Sequence, residues 1–191
     1  NLKLEGVVKN TIESVNNSDL FKYSPYKSLS SDQRDSLIEI IKSLLDKKTE
    51  AIIIEGGAGT GKTVLAIYLF KLLSSYIEDF DSKDFGEEEQ EFLMLVKELR
   101  TKYPNPKMAL VVPMSSFRNT LKKVFKNIKG LNAKMVIGPS EVVHEKFDIL
   151  IVDESHRLRR RVNLGTYFGV FDKISKKLNL DSVRSSELDW V

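Results

Sequence analysis

The chain has 191 residues, of which 41% are hydrophobic and 30% charged, as expected for one globular domain with a full core. It has no cysteine and only two histidines, which excludes disulfides and cysteine-ligated metal sites and disfavours a histidine-rich one. No apolar run could span a bilayer and no signal-peptide pattern is present, so we expect a cytoplasmic protein without a membrane partner. The net charge of +3 is too small to indicate nucleic-acid binding by itself.

The N-terminal part of the chain divides at residue 28. Residues 1–28 show only a weak pattern, and we treat them as an N-terminal extension of a domain that covers residues 29–191. A one-sided helix is predicted next, because Ser30 and Gln33 have the spacing of a capping box. Apolar residues then follow at helical spacing from Leu37 to Leu45.

The most specific pattern lies at residues 51–63. Residues 51–55 form a short, β-branched apolar run that predicts a buried parallel strand. Residues 56–63 read GGAGTGKT and fit G-x-x-x-x-G-K-[ST] at every specified position. An apolar helix is predicted at residues 64–77. This pattern forms a phosphate-binding loop where it follows a strand and precedes a helix, and both are predicted here.

The chemistry of such a loop predicts ATP and Mg²⁺ as ligands. Loop glycines leave no Cβ in the way of backbone N–H groups that surround the phosphates, and a helix N-terminus favours anions. Lys62 would reach the β- and γ-phosphates, and Thr63 would give its hydroxyl to Mg²⁺. The predicted nucleotide ligands are Gly57, Ala58, Gly59, Thr60, Gly61, Lys62 and Thr63.

The rest of the chain alternates between predicted strands and helices. Residues 78–106 are predicted to be an insertion that starts acidic and continues as a helix. Strands are predicted at residues 108–112, 133–137 and 147–152, and helices at residues 117–129 and 167–178. Strands that alternate with helices predict an α/β fold, here a three-layer domain with a parallel sheet and helices on both faces.

An acidic pair, Asp153 and Glu154, follows the last predicted strand. Ligands of open α/β sheets bind outside the carboxyl ends of the strands, where the glycine loop is also expected. Asp153 would hold Mg²⁺ together with Thr63. Glu154 would polarise a water for attack on the γ-phosphate, so Lys62 and Glu154 are the predicted catalytic residues. His156 is placed to sense the γ-phosphate.

Four arginines follow the acidic pair, at positions 157, 159, 160 and 161. A phosphate contact, a nucleic-acid contact and a basic loop without a special task all remain open for them.

The motifs resemble those of known proteins. Gln33 and residues 56–63, 110–116 and 153–156 are similar, in order and spacing, to the Q motif, motif I, motif Ia and motif II of superfamily 1 helicases. Residues 136–140 and 147–158 look closer still to the Schlafen-related helicase-like family. The resemblance implies a RecA-like P-loop ATPase domain in which Gln33 hydrogen-bonds both edges of adenine, since an amide offers a donor and an acceptor together. Ser155 departs from the more usual alanine.

The resemblance also implies partners. Single-stranded or partly duplex nucleic acid would lie across the motif Ia edge at Pro113, Ser115 and Ser116, and we expect Lys122 and Lys123 of the basic helix to contact its phosphates. The later helicase motifs and a second RecA-like lobe are not found in these residues, so we expect that lobe as a partner.

Three functions remain open. The first is the ATP-hydrolysing core of a DNA or RNA helicase or translocase. The second is an ATP-dependent switch that recruits a protein partner without translocation. The third is a small-molecule kinase, although Glu154 directly after Asp153 fits water activation better than transfer to a bound acceptor.

Overall fold

The computed structural model describes residues 29–74 and 90–191. The helices of these residues are α1 (Ser31–Leu45), α2 (Lys62–Ser74), α3 (Gln90–Lys102), α4 (Ser115–Lys126) and α5 (Phe168–Lys177). The strands are β1 (Met108–Val111), β2 (Val136–Ile137) and β3 (Ile149–Val152). Short 3-10 segments lie at Ala133–Met135, Pro139–His144, Ser155–Arg157, Gly165–Tyr167 and Glu187–Trp190.

The three strands form one parallel sheet with β1 in the centre. β2 and β3 pair with opposite edges of β1, and Leu110 is in register with Val136 on one side and Ile151 on the other. Every residue of β1 is buried, as expected for a central strand of a parallel sheet covered on both faces. The prediction of an α/β fold with a parallel sheet is therefore confirmed.

The two faces of the sheet are covered differently. Met108 and Leu110 belong to a large core cluster with side chains of α1, α2, α3 and α4, in which Phe70 and Phe125 meet edge to face at 5.3 Å. On the other face, Ala109 and Val111 pack with Val142 of the 3-10 segment Pro139–His144. In the described part of the chain, the layer directly on this second face is thus a 3-10 segment, and not the α-helix that the sequence led us to expect.

The C-terminal residues form a separate small core, which we call the C-terminal cluster. It consists of Leu164, Phe171, Ile174 and Trp190, with Val143 of the 3-10 segment packed against it. The rings of Phe171 and Trp190 lie 4.8 Å apart, and the indole N–H of Trp190 donates to Ser175 Oγ at 3.3 Å. The predicted C-terminal helix is confirmed as α5.

The predicted strand at residues 51–55 is wrong. The structure has no strand there, and the side chains of Ile53 and Ile54 are 86% and 45% exposed, while only Ile52 packs against the large core cluster. A β-branched run shows that a segment suits a strand, but a strand forms only where its backbone pairs with a neighbour. Among the described strands β3 pairs with β1 alone, so residues 51–55 leave its outer edge unpaired, and the residues of β3 after Ile149 are only partly buried.

Other boundaries differ by a few residues. α1 has the predicted capping box, with Ser30 Oγ accepting from the Gln33 N–H at 3.3 Å. β2 is shorter than predicted because Asn132 caps a 3-10 turn at its start. The predicted N-terminal extension and the acidic part of the predicted insertion, up to residue 89, lie outside the described residues. Within residues 29–74 and 90–191, no helix combines the length and the apolar character needed to cross a membrane.

Candidate functional site

The glycine loop leads directly into α2. Gly59 and Gly61 have positive φ angles of 79° and 89°, a region that side-chain-bearing residues rarely adopt. At Gly61 a Cβ would in addition overlap the side-chain nitrogen of Gln33. The glycine at this position is therefore required both by the backbone and by the close approach of α1. α2 starts at Lys62, two residues earlier than predicted.

Lys62 folds back over its own loop. Its Nζ donates to the carbonyl oxygens of Gly56 at 2.6 Å and of Gly57 at 2.9 Å. The Thr60 hydroxyl donates to the same Gly57 carbonyl at 3.0 Å. Neutral carbonyls are weaker partners for an ammonium group than an anionic oxygen is. A phosphate bound by the loop would therefore compete well for Lys62.

Gln33 connects α1 to the glycine loop. Its Oε1 accepts from the Ser30 N–H at 3.1 Å, and its Nε2 donates to the Thr60 carbonyl at 2.9 Å. A side-chain amide has two donor hydrogens and two acceptor lone pairs, so one of each is still available. Gln33 thus holds the loop in place and retains the groups that its predicted contact with adenine needs.

Thr63 and Asp153 bring the two main motifs together. The Thr63 hydroxyl donates to Asp153 Oδ2 at 2.7 Å across 90 residues of sequence, and Asp153 is 6% exposed. Burial raises the pKa of Asp153 above its ordinary value, although the hydrogen bond from Thr63 opposes that rise.

Two adjacent oxygen ligands suit a small, hard cation. In the described ranges, no group of three or more His, Asp or Glu side chains could form a cage of protein ligands. Mg²⁺ typically uses one or two protein oxygens and takes its other ligands from water and phosphate. The residues present therefore fit Mg²⁺ held at Thr63 and Asp153 beside a phosphate.

Glu154 has the left-handed backbone conformation, with φ 55° and ψ 46°. Its carboxylate contacts His156 Nε2 at 3.3 Å and Arg157 Nε at 3.7 Å, and its side chain is 34% exposed. The carboxylate is thus accessible to a water molecule. The contact that His156 makes is with Glu154, and the predicted role of His156 as a γ-phosphate sensor stays a prediction.

Two of the four arginines form ion pairs with carboxylates further along the chain. Arg159 pairs with Glu187, and Arg161 makes a two-pronged pair with Asp172 at 2.6 and 2.8 Å. The pairing with Arg161 holds the pKa of the Asp172 carboxyl below its ordinary value. Arg160 is exposed. Arg159 and Arg161 therefore stabilise the C-terminal part of the fold, while Arg157 contacts the Glu154 carboxylate.

The predicted nucleic-acid residues lie at one end of α4 and along its length. Ser115 and Ser116 are exposed in the first turn, and the N-cap residue Met114 makes no capping hydrogen bond through its side chain. Lys122 and Lys123 lie seven residues further on, and thus on the same helix faces as the two serines. The helix therefore presents an N-terminus without a side-chain cap, followed two turns later by two lysines.

Arg118 is a residue of this edge that the sequence analysis missed. Its Nη1 donates to the carbonyl of Val112 at 2.6 Å and approaches that of Pro113 at 3.4 Å, and it lies close against Gly138 after β2. It thereby fixes the loop between β1 and α4. The only signal in the sequence is an arginine in the first turn of a helix that follows a strand, which is too common to single it out.

These observations first define a class and then a family. The molecule is an α/β domain in which a glycine loop meets an acidic pair at the carboxyl end of a parallel strand. The chain belongs to the Schlafen group 3 DNA/RNA helicase domain family, whose model matches residues 49–184, more than half of the chain. No curated protein and no solved structure matches it.

Proposed function

We propose that this chain is the ATP-binding and ATP-hydrolysing core of a helicase-type motor, with the RecA-like P-loop arrangement of superfamily 1. The main support is the hydrogen bond between Thr63 and Asp153, because it joins the two motifs that a metal–nucleotide complex would need. Membership of a helicase domain family supports the same conclusion.

In this proposal the glycine loop binds the phosphates, and the acidic pair contributes to Mg²⁺ binding and to the activation of water. The backbone of residues 57–61 and the N-terminus of α2 would hold the phosphates, and Lys62 would exchange its two carbonyl partners for a phosphate oxygen. Thr63 and Asp153 would hold Mg²⁺, which supplies charge neutralisation on the phosphates. Glu154 would orient a water and accept its proton.

Nucleic acid would bind across the motif Ia edge. Ser115, Ser116 and the N-terminus of α4, which has no side-chain cap, would contact one backbone phosphate. Lys122 and Lys123 would contact further phosphates along the strand. Arg118 would keep the loop before α4 in the binding conformation. This part of the proposal is supported by the family and by the exposure of Ser115, Ser116 and Lys123.

A second RecA-like lobe is proposed as a partner. Arg159 and Arg161 are occupied by carboxylates and Arg157 contacts Glu154, so in this proposal the arginine that stabilises the charge of a transferring phosphoryl group comes from the second lobe. Such an arginine can accelerate phosphoryl transfer by about 10³–10⁵-fold. We therefore propose that the chain alone binds ATP and Mg²⁺ and hydrolyses ATP slowly.

The experiment is steady-state phosphate release by the chain with Mg·ATP, with and without a single-stranded oligonucleotide. We expect slow release that the oligonucleotide stimulates, and a Glu154→Gln variant that still binds nucleotide but releases phosphate far more slowly. Nucleotide binding without any stimulation would favour the switch that recruits a protein partner. Release by Glu154→Gln at the parent rate would show that another group activates the water.

A further inference from the structure

The turn after the acidic pair is bonded mainly to itself. The Arg157 N–H donates to the Glu154 carbonyl at 2.8 Å, and the Leu158 N–H donates to the Ser155 carbonyl at 3.0 Å. The Glu154 carboxylate also finds its partners inside the turn, at His156 and Arg157. In the described ranges, the position of residues 154–158 therefore depends on the contacts of the residues at the two ends of the turn, Asp153 and Arg159.

The first end is held by the sheet. The Asp153 N–H donates to the Val111 carbonyl at 3.0 Å, which extends the pairing of β3 with β1 by one residue.

The second end is held by Glu187. The carboxylate of Glu187 accepts from the backbone N–H of Arg159 at 2.8 Å and from its guanidinium at 3.0 and 3.2 Å. In return, the Glu187 N–H donates to the Arg159 carbonyl at 2.8 Å. The guanidinium of Arg159 also lies over the ring of Tyr167, 3.9 Å from its centre.

The contact between Glu187 and Arg159 is costly to break. Glu187 is 0% exposed, so its charge would have no solvent to interact with if Arg159 moved away. Glu187 also starts the 3-10 segment that ends in Trp190, a member of the C-terminal cluster. The end of the turn is therefore anchored to a packed core and not to a mobile surface group.

We infer that Glu187 is a positioning residue for Glu154: through Arg159 it fixes the turn that presents the Glu154 carboxylate. The consequence for hydrolysis rests on the proposed function, since it takes Glu154 as the residue that activates water. The positioning itself does not depend on that function and can be measured separately.

The first measurement is hydrogen exchange of the Arg157 and Leu158 amides in the full chain. Glu187→Gln keeps the size of the side chain and removes its charge, and we expect these two amides to exchange at least about tenfold faster. The matched control is Asp172→Asn, which removes a carboxylate from the neighbouring pair with Arg161 and should leave the two amides unchanged. An unchanged exchange rate in Glu187→Gln, or an equal increase in Asp172→Asn, would overturn the inference.

Glu187→Gln could instead destabilise the whole fold, and faster exchange of the β1 amides would reveal this. A second variant is used for that case. Arg159→Lys keeps a cation beside Glu187 but loses the planar fork of donors. We expect it to speed exchange in the turn while β1 stays protected. If the turn opens only together with β1 in both variants, Glu187 is a general stability residue and the inference is wrong.

A measurement of phosphate release tests whether the contact between Glu187 and Arg159 matters for catalysis. In phosphate release, Glu187→Gln should lower kcat at least about fivefold without changing KM, because it would displace the group that activates water and not those that bind nucleotide. The same substitution should have no further effect in a Glu154→Gln background. An equal loss in both backgrounds would show that Glu187 does not act through Glu154. If the parent chain releases no phosphate, the proposed function fails, and the exchange measurement still decides the positioning.

Discussion

Gln33 donates a hydrogen bond from its side-chain amide to the carbonyl of Thr60, so that α1 and the glycine loop are joined at 2.9 Å. The same amide caps its own helix through Ser30. These two contacts leave one donor and one acceptor for the base of a nucleotide. Gln33 is therefore expected to affect nucleotide binding in two separable ways, through the loop and through adenine.

The first prediction concerns Gln33→Ala and the choice of base. Loss of the bond to Thr60 should weaken ATP and GTP alike, by about 2–10-fold, and loss of the adenine contacts should weaken ATP by a further factor of that order. Ser30→Ala is the control, because it removes half of the capping box and leaves the Gln33 amide in place. Titration with fluorescent ATP and GTP analogues measures the affinity of each variant for the two nucleotides. Equal losses for the two nucleotides would disprove the adenine contact.

The second prediction concerns Lys62. Lys62→Ala removes the cation that folds over the loop and should weaken ATP binding about 10–150-fold, the range for a hydrogen bond to a charged group. Lys48→Ala, at an exposed lysine ahead of the loop, provides a control of equal charge change. Fluorescence anisotropy of a labelled nucleotide in Mg²⁺ gives the two affinities. Similar affinity in both variants would argue against a phosphate contact by Lys62.

The third prediction concerns pH and Asp153. Its pKa is raised in the folded chain, mainly by burial, so without ligand the folded state binds the proton more tightly than the unfolded state does. Its contribution to stability is therefore largest below the ordinary pKa of aspartate and is lost as the pH rises through the raised value. Without nucleotide, Asp153→Asn should increase the free energy of unfolding at pH 7 by about 0.5–2 kcal/mol.

The same variant should lose the effect of Mg²⁺ on nucleotide binding, since an amide is a poor ligand for that cation. Urea denaturation at pH 5 and pH 7 measures the stability, and nucleotide titration with and without Mg²⁺ measures the ligand effect. We expect the stability gain to be larger at pH 7 than at pH 5. A variant less stable than the parent at pH 7 would contradict the assigned cost of burying the Asp153 charge.

The fourth prediction concerns salt and the basic helix. Each phosphate contact with a single strand adds about 0.7 to the slope of log affinity against log salt concentration. Replacing Lys122 and Lys123 together by alanine should reduce the slope by about 1.4 and weaken binding for all sequences alike. Lys173→Ala with Lys176→Ala, on exposed positions of α5, is the matched control. Anisotropy of a labelled oligonucleotide at several salt concentrations provides the slopes, and equal slopes in the two double variants would exclude α4 as the binding surface.

Local features of the molecule could be predicted from the sequence. The capping box of α1 joins residues three positions apart, so the pattern that predicts it also contains all of its partners. The glycine loop and the adjacent pair Asp153 and Glu154 are local in the same sense. The sequence also predicted that Thr63 and Asp153 lie near each other, as the structure has them, although the strand at residues 51–55 on which that argument rested does not form. Their roles toward Mg²⁺ remain predictions.

Only the tertiary structure decided which distant groups meet. Residues 51–55 have the composition of a buried strand, but strand formation depends on a paired edge, and in the structure two of the three isoleucines are exposed. The four arginines look alike in the sequence, yet Arg159 and Arg161 are taken by Glu187 and Asp172 while Arg160 stays exposed. Composition and spacing describe neighbours along the chain, whereas the partner of a charge or of a strand edge is selected by packing between segments, which sequence spacing does not specify.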